Sequence, residues 1–251
     1  MSAALKTVGR LRFVPKDLEP LCGYYATLSK EPLIVRAKLT TPYVPAEPDG
    51  SCHLDSILSW AVLAHLPYPV RTGGYEAPTV PLPLKLSWVR DGVPLWAVSD
   101  LRPQGDLLRD QAYWHKRYPT DQLHYMTKTR ANVRAGKWKE YRIPMGTVVD
   151  AELRAVCVGN RGKLKELLAH VSHVGKKASQ GYGRVGEWEV EPLGVPEEDA
   201  EEAALRARAV PLDYATRHGR TVEEGWRMYR GGWSAPYWFA KNHTAVVVRE
   251  P

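Results

Sequence analysis

Twelve consecutive residues, Val174-Gly175-Lys176-Lys177-Ala178-Ser179-Gln180-Gly181-Tyr182-Gly183-Arg184-Val185, carry the densest set of groups able to hold a polyanion. Three glycines within nine positions let the backbone take positive φ and let a partner approach the main chain closely. Lys176, Lys177 and Arg184 supply cations, and Ser179 and Gln180 supply hydrogen-bonding groups. Tyr182, between Gly181 and Gly183, offers a flat ring on which a base can stack. Backbone amides, cations and an aromatic in one loop fit RNA or DNA, whereas a plain connection would need neither the charge nor the ring. Gly175-Lys176 also matches part of a nucleotide-phosphate loop. That motif, however, needs glycine further upstream, Ser or Thr after the lysine, and a strand-loop-helix order. Here Lys177 follows Lys176, and the loop is expected to leave a helix and enter a strand, so ATP hydrolysis is not the expected chemistry.

A second cationic set lies between Tyr113 and Arg142, where Lys116, Arg117, Lys128, Arg130, Arg134, Lys137, Lys139 and Arg142 are opposed only by Asp121 and Glu140. Tyr113, Trp114, Tyr118, Tyr125, Trp138 and Tyr141 are interleaved with that charge. A charge run is commonly a solvated face, but rings among phosphate-seeking side chains suit unpaired nucleotides. Two histidine sets are weaker. His53 and Asp55 open a helix, where capping and a favourable acidic charge near the positive end of the dipole compete with a role in binding or chemistry. His170 and His173 are expected in the last turn of another helix, where charge at the helix end explains them without a metal, since no third ligand accompanies them.

The whole chain agrees with a polyanionic partner. Lys and Arg give a formal net charge of +7 over 251 residues, with a pI near 9.2. Nine Trp and thirteen Tyr against two Phe favour aromatics that work at wet interfaces as well as in cores. Cys22, Cys52 and Cys157 show no paired spacing and leave one over, which excludes a disulfide framework and a cysteine zinc site from the expectation. No apolar run approaches ~20 residues and no signal-peptide pattern opens the chain, so a soluble cytoplasmic protein with no cofactor and no metal is expected.

The elements that must position these groups follow from periodicity. Leu33, Val35, Ala37 and Leu39 alternate with Arg36, Lys38 and Thr40, a strand with one buried face. Leu54, Ile57, Leu58, Ala61, Val62 and His65 recur at helical spacing. Leu84, Leu86 and Trp88 run into Asp91-Gly92 and a second extended segment to Val98, a hairpin signal. From about 100 to 146 the apolar pattern fades into the basic stretch. Thr147 to Val158 reads as the next strand, with Val149, Ala151, Leu153, Ala155 and Cys157 on one face. Asn160 caps a helix carrying Leu164, Leu167, Leu168 and Val171, and the glycine loop and a strand from Arg184 to about Leu193 follow. This order predicts an α+β, ferredoxin-like βαββαβ domain, similar to RAMP and RRM folds, over 33–193. A basic insertion at 100–146 falls between its second and third core strands, and both helices share one face of an antiparallel sheet whose other face is open to a ligand. Residues 1–32 form an N-terminal extension. Residues 194–251 form an aromatic-rich C-terminal extension with a helix of charge-ordered residues after Pro196, packing on the domain or on a partner.

With the glycine loop placed after the last helix of that plan, the chain resembles the CRISPR-associated RAMP superfamily. His53-Leu54-Asp55-Ser56-Ile57-Leu58-Ser59-Trp60-Ala61 after an alternating strand, and the closing Pro236-Tyr237-Trp238, are similar to the type IV member (Cas five-type) that caps the 5′ handle of the guide RNA. The resemblance implies a non-catalytic, RNA-binding subunit of an RNA-guided antiviral surveillance complex in a prokaryotic cytoplasm. Implied partners are guide RNA (crRNA), RAMP backbone subunits, a large-subunit-like protein, a guide-processing endonuclease, target DNA and a DinG-type helicase, with no membrane. Sequence selection then belongs to guide pairing while the protein holds backbone and handle. The expected RNA-binding residues are Gly175, Lys176, Lys177, Ser179, Gln180, Gly181, Tyr182, Gly183 and Arg184 in the loop, with Lys116, Arg117, Arg130, Arg134, Lys137 and Lys139 in the insertion. Two alternatives stand. One is a metal-independent guide-processing endoribonuclease with His53 as the base that activates a 2′-hydroxyl. The other is a backbone RAMP subunit present in several copies per guide.

Overall fold

A computed structural model describes residues 11, 14–66, 78–117, 125, 134, 139–149, 152–219 and 226–249 of the protein. It is a mixed α+β structure with antiparallel sheets. Strand β1 (Glu31–Leu39) is central, and the expected alternation holds: Leu33, Val35 and Ala37 are fully buried on one side. It is flanked by β8 (Glu152–Gly159) and β9 (Val185–Pro192). Beyond β8 lie β5 (Asp100–Pro103) and the two-residue β2 (Cys52–His53), so the sheet runs β2-β5-β8-β1-β9. Helices α2 (Leu54–Ala64) and α3 (Arg161–Leu168) cover the inner face. Their Leu54, Leu58, Ala61, Val62, Leu164, Leu167 and Leu168 join Leu153, Ala155, Cys157 and Val190 in one core. Asn160 caps α3 by accepting a hydrogen bond from the Lys163 amide. Helix α1 (Glu19–Thr27) adds Tyr25 to this core, and the turn before it adds Leu18.

Three parts differ from the periodicity. The Asp91-Gly92 hairpin forms as β3 (Leu86–Arg90) and β4 (Val93–Trp96), with both turn residues at positive φ, as the tight hairpin turn requires. It makes a separate two-stranded sheet, however, and the strand beside β8 is the short Asp-Leu-Arg-Pro segment of β5. Only Leu101 of that strand carries a buried apolar side chain, so no apolar alternation announces it. The fading region contains a second ribbon, β6 (Arg109–Lys116) paired with β7 (Tyr141–Val148), between β5 and β8. The strand read as Thr147 to Val158 is therefore two: its first residues close the ribbon, and β8 begins at Glu152.

The outer face of the sheet is not open along its length. Helix α4 (Glu197–Arg206) lies on it, with Ala200, Ala204 and Leu205 buried and Ala200 against Ala97 and Val158. The charge order of this helix indicates a solvated surface, but alanines one turn apart let its backbone approach the sheet. Further along, the face carries solvent-facing ion pairs of Arg36 with Glu189 and Glu191 and of Lys38 with Glu187 and Glu189. The remaining C-terminal elements are β10 (Val210–Pro211), α5 (Leu212–Arg217), β11 (Trp226–Gly232) and β12 (His243–Arg249). Their Val210, Tyr214, Val246 and Val247, with Trp233 just after β11, enclose Leu95 of the β3–β4 hairpin in a second core.

Candidate nucleic-acid interface

The glycine loop is held by its own chain. The Lys176 amide donates to the Val44 carbonyl, the Gly183 amide to Pro42, and the Val174 amide to Gly183. Thr41 Oγ1 accepts from the Arg184 amide and donates to the Gly181 carbonyl at 2.9 Å each. Gly175 and Gly183 combine positive φ with a close approach: a Cβ would run into the carbonyl oxygen of Val44 in one case and of Val174 in the other. The partner that needs those two glycines is therefore the neighbouring backbone, a correction to the expectation that they admit a ligand. Only Gly181, at φ +86° with open space where its Cβ would be, is glycine for conformation alone. Ala178–Gln180 make a single 3-10 turn at the tip, so the loop is a fixed shape and not a slack connection.

Its side chains remain available. Lys176 is exposed, with its ammonium 2.9 Å from the Ala46 carbonyl oxygen, and Ser179, Gln180 and Arg184 are exposed. Tyr182 is half-buried. Lys177 places its ammonium 3.6 Å from the centroid of the Trp114 ring. Among the described residues no carboxylate lies within ion-pair distance of Lys176, Lys177 or Arg184.

The Lys177–Trp114 contact joins the loop to the β6–β7 ribbon, so the loop cations lie beside the described rings of one ribbon face. Cross-strand register puts Trp114 opposite Ile143 and Lys116 opposite Tyr141, on the same face of the ribbon. The Tyr141 ring meets Trp114 edge-on at 5.1 Å, and the Lys116 ammonium lies 5.8 Å from the Tyr141 centroid. On the opposite face the Arg142 guanidinium stacks 3.8 Å over Tyr113. At the base, Arg109 donates to the Pro48 carbonyl and Tyr43 bridges to Val148. Arg117, Arg134 and Lys139 are exposed; Arg130 and Lys137 lie outside the described residues. Trp114, Tyr141 and Arg142, named in the basic aromatic stretch but not among the expected binding residues, are brought into this ribbon. Their strand alternation is the signal that could have placed them, and it is hidden because both faces carry rings and cations.

His53 sits elsewhere on the sheet, at its β2 edge. Nδ1 lies 2.8 Å from Asp100 Oδ1 and Nε2 3.2 Å from Glu47 Oε1, and the ring stacks on Tyr237 at 3.6 Å and 10°. Burial works to lower its pKa, but the hydrogen bonds to Asp100 and Glu47 outweigh that and raise it to about 10. The raised pKa favours the protonated imidazole, in which both ring N–H groups donate to these carboxylates. Asp55 does more than favour the helix dipole. It is 1% exposed and meets the equally buried Arg208 at 3.0 Å, while the Tyr237 hydroxyl donates to both its oxygens. Arg208 also donates to the carbonyls of Val98 and Trp233. His170 and His173 do not act together: α3 ends before both, His170 packs edge-on against His65 at 4.0 Å, and His173 Nδ1 lies 2.9 Å from Ser172 Oγ.

Residues 127–249 match the family model of the CRISPR type IV associated protein Csf3. The match begins inside the basic stretch, takes in β8, α3, the glycine loop and β9, and continues through the C-terminal sheet to β12. No curated protein matches the chain. Among the described residues no helix is long and apolar enough to cross a membrane.

Proposed function

We propose that this chain, whose residues 127–249 match the CRISPR type IV associated protein Csf3, is a non-catalytic RNA-binding subunit of a type IV CRISPR complex that caps the 5′ handle of the guide RNA. The observation that carries this reading is the meeting of the glycine loop and the ribbon through Lys177 and Trp114. It gathers loop cations that no described carboxylate opposes beside aromatic faces, the combination that grips a single-stranded ribose-phosphate chain. We read β1, α2, β5, β8, α3 and β9 as the ferredoxin-like plan, since their chain order is strand-helix-strand-strand-helix-strand. In this reading the guide RNA, RAMP backbone subunits, a large-subunit-like protein, a processing endonuclease, target DNA and a DinG-type helicase are the partners of the assembly.

The endoribonuclease alternative ranks second in this reading, because His53 held between Asp100 and Glu47 with a raised pKa is disfavoured as a base toward a 2′-hydroxyl. The test is a filter-binding titration of guide RNA against the full chain and a Lys176→Ala, Lys177→Ala double variant over a range of salt. Weaker binding by the variant is expected, with a log K against log salt slope shallower by ~0.7 for each single-strand phosphate that the protein no longer neutralises. The RNA is expected to be recovered at full length. Unchanged affinity and slope would remove the loop from the interface, and a discrete cut ending in a cyclic phosphate would reinstate the enzyme.

A further inference from the structure

The contact between Lys177 and Trp114 has features that a structural tie does not require. Lys177 holds a left-handed backbone at φ +66°, while the other left-handed positions of this loop, 175, 181 and 183, are all glycine. A lysine at a position that glycine would occupy without strain bears a backbone cost, which points to a role for its side chain. That side chain is not paired with a carboxylate among the described residues; its ammonium rests on a tryptophan face. From the loop outward, Lys177, Trp114, Tyr141 and Lys116 run cation, ring, ring, cation. Trp114 is half-buried and meets Tyr141 in a steep T-shaped contact, and the face it shows to Lys177 is the one a second flat group would use.

We propose that Trp114 is the base-stacking platform of the interface. An unpaired nucleotide lays its base on the Trp114 face that Lys177 occupies in the free chain, and the displaced ammonium moves to an adjacent phosphate. The ligand class is single-stranded nucleic acid, because a base inside a duplex has both faces stacked and none to give. Trp114 thereby replaces Tyr182 as the principal ring. The inference rests on the RNA-binding reading above and deepens it.

The experiment measures binding of a labelled ~12-nucleotide single-stranded RNA, the same strand annealed to its complement, and an abasic strand of equal length, with a platform of this kind contributing roughly tenfold or more per stacked base. The proteins are the full-length chain and its Trp114→Ala and Trp114→Phe variants. For single-stranded RNA, Trp114→Ala is expected to lose about 10- to 100-fold in affinity at an unchanged salt slope, since stacking releases no counterions. For the abasic strand and the duplex the same variant is expected to match the wild type, and Trp114→Phe should recover part of the single-strand loss. Trp114→Ala binding single-stranded RNA as well as the wild type overturns the inference while leaving the RNA-binding reading standing. Equal losses on RNA and abasic strand also overturn it, by showing that Trp114 only supports the ribbon. A wild-type chain that binds none of the three overturns both. Should Trp114→Ala lose its cooperative thermal melt, Trp114→Phe is read alone, and an intermediate loss confined to single-stranded RNA is the supporting result.

Discussion

An imidazole wedged between two carboxylates and a phenol ring favours its protonated form, and His53 illustrates how neighbours decide a residue's chemistry. An exposed histidine at a helix start would titrate near 6.5, whereas the hydrogen bonds to Asp100 and Glu47 carry this one to about 10. Because the folded value lies above the unfolded one, protonated His53 contributes its full stability below pH 6.5. That contribution is lost as the pH rises from 6.5 through 10. Urea midpoints of the wild type should therefore fall more steeply across this window than those of His53→Gln. Parallel curves would mean that the imidazole is neutral in the folded chain. The sequence named His53 as the candidate base, but its pairing with Asp100, 47 positions away, exists only once β2 and β5 are neighbours.

At the scale of elements, the glycine loop is a rigid turn stitched to residues 40–46 and not a hinge. Two of its glycines serve close packing and one serves conformation. Gly181→Ala meets open space and bears only the left-handed backbone, about 1–2 kcal/mol. Gly183→Ala adds an overlap with the Val174 carbonyl and should destabilise by clearly more than that. Thermal unfolding of the two variants tests the ordering, and equal losses would show that the loop can move away from Val174. The loop's composition was legible in the sequence because glycines and lysines announce themselves by type. The ribbon was not, because residues such as Tyr113 and Trp114 put rings on both of its faces and leave no apolar stripe to count.

For the molecule as a whole, the C-terminal residues are part of the architecture. Helix α4 lies on the outer sheet face, and Arg208 reaches the start of α2 to pair with Asp55. Breaking a buried pair leaves an uncompensated charge, so Asp55→Asn should lower the unfolding free energy by about 3–5 kcal/mol, read from urea denaturation. A loss near zero would show that the two cores are joined by other interactions. Periodicity and residue type sufficed for β1, α2, α3 and β9, since each buries a stripe that its own spacing displays. They also sufficed for the cationic character of the loop and the basic stretch. The tertiary structure alone decided which strand completes the sheet beside β8, that α4 covers a face expected to be open, and that Lys177 meets Trp114. Each of those depends on partners between 42 and 103 residues apart in the chain, and local sequence carries no record of which distant groups will share a surface.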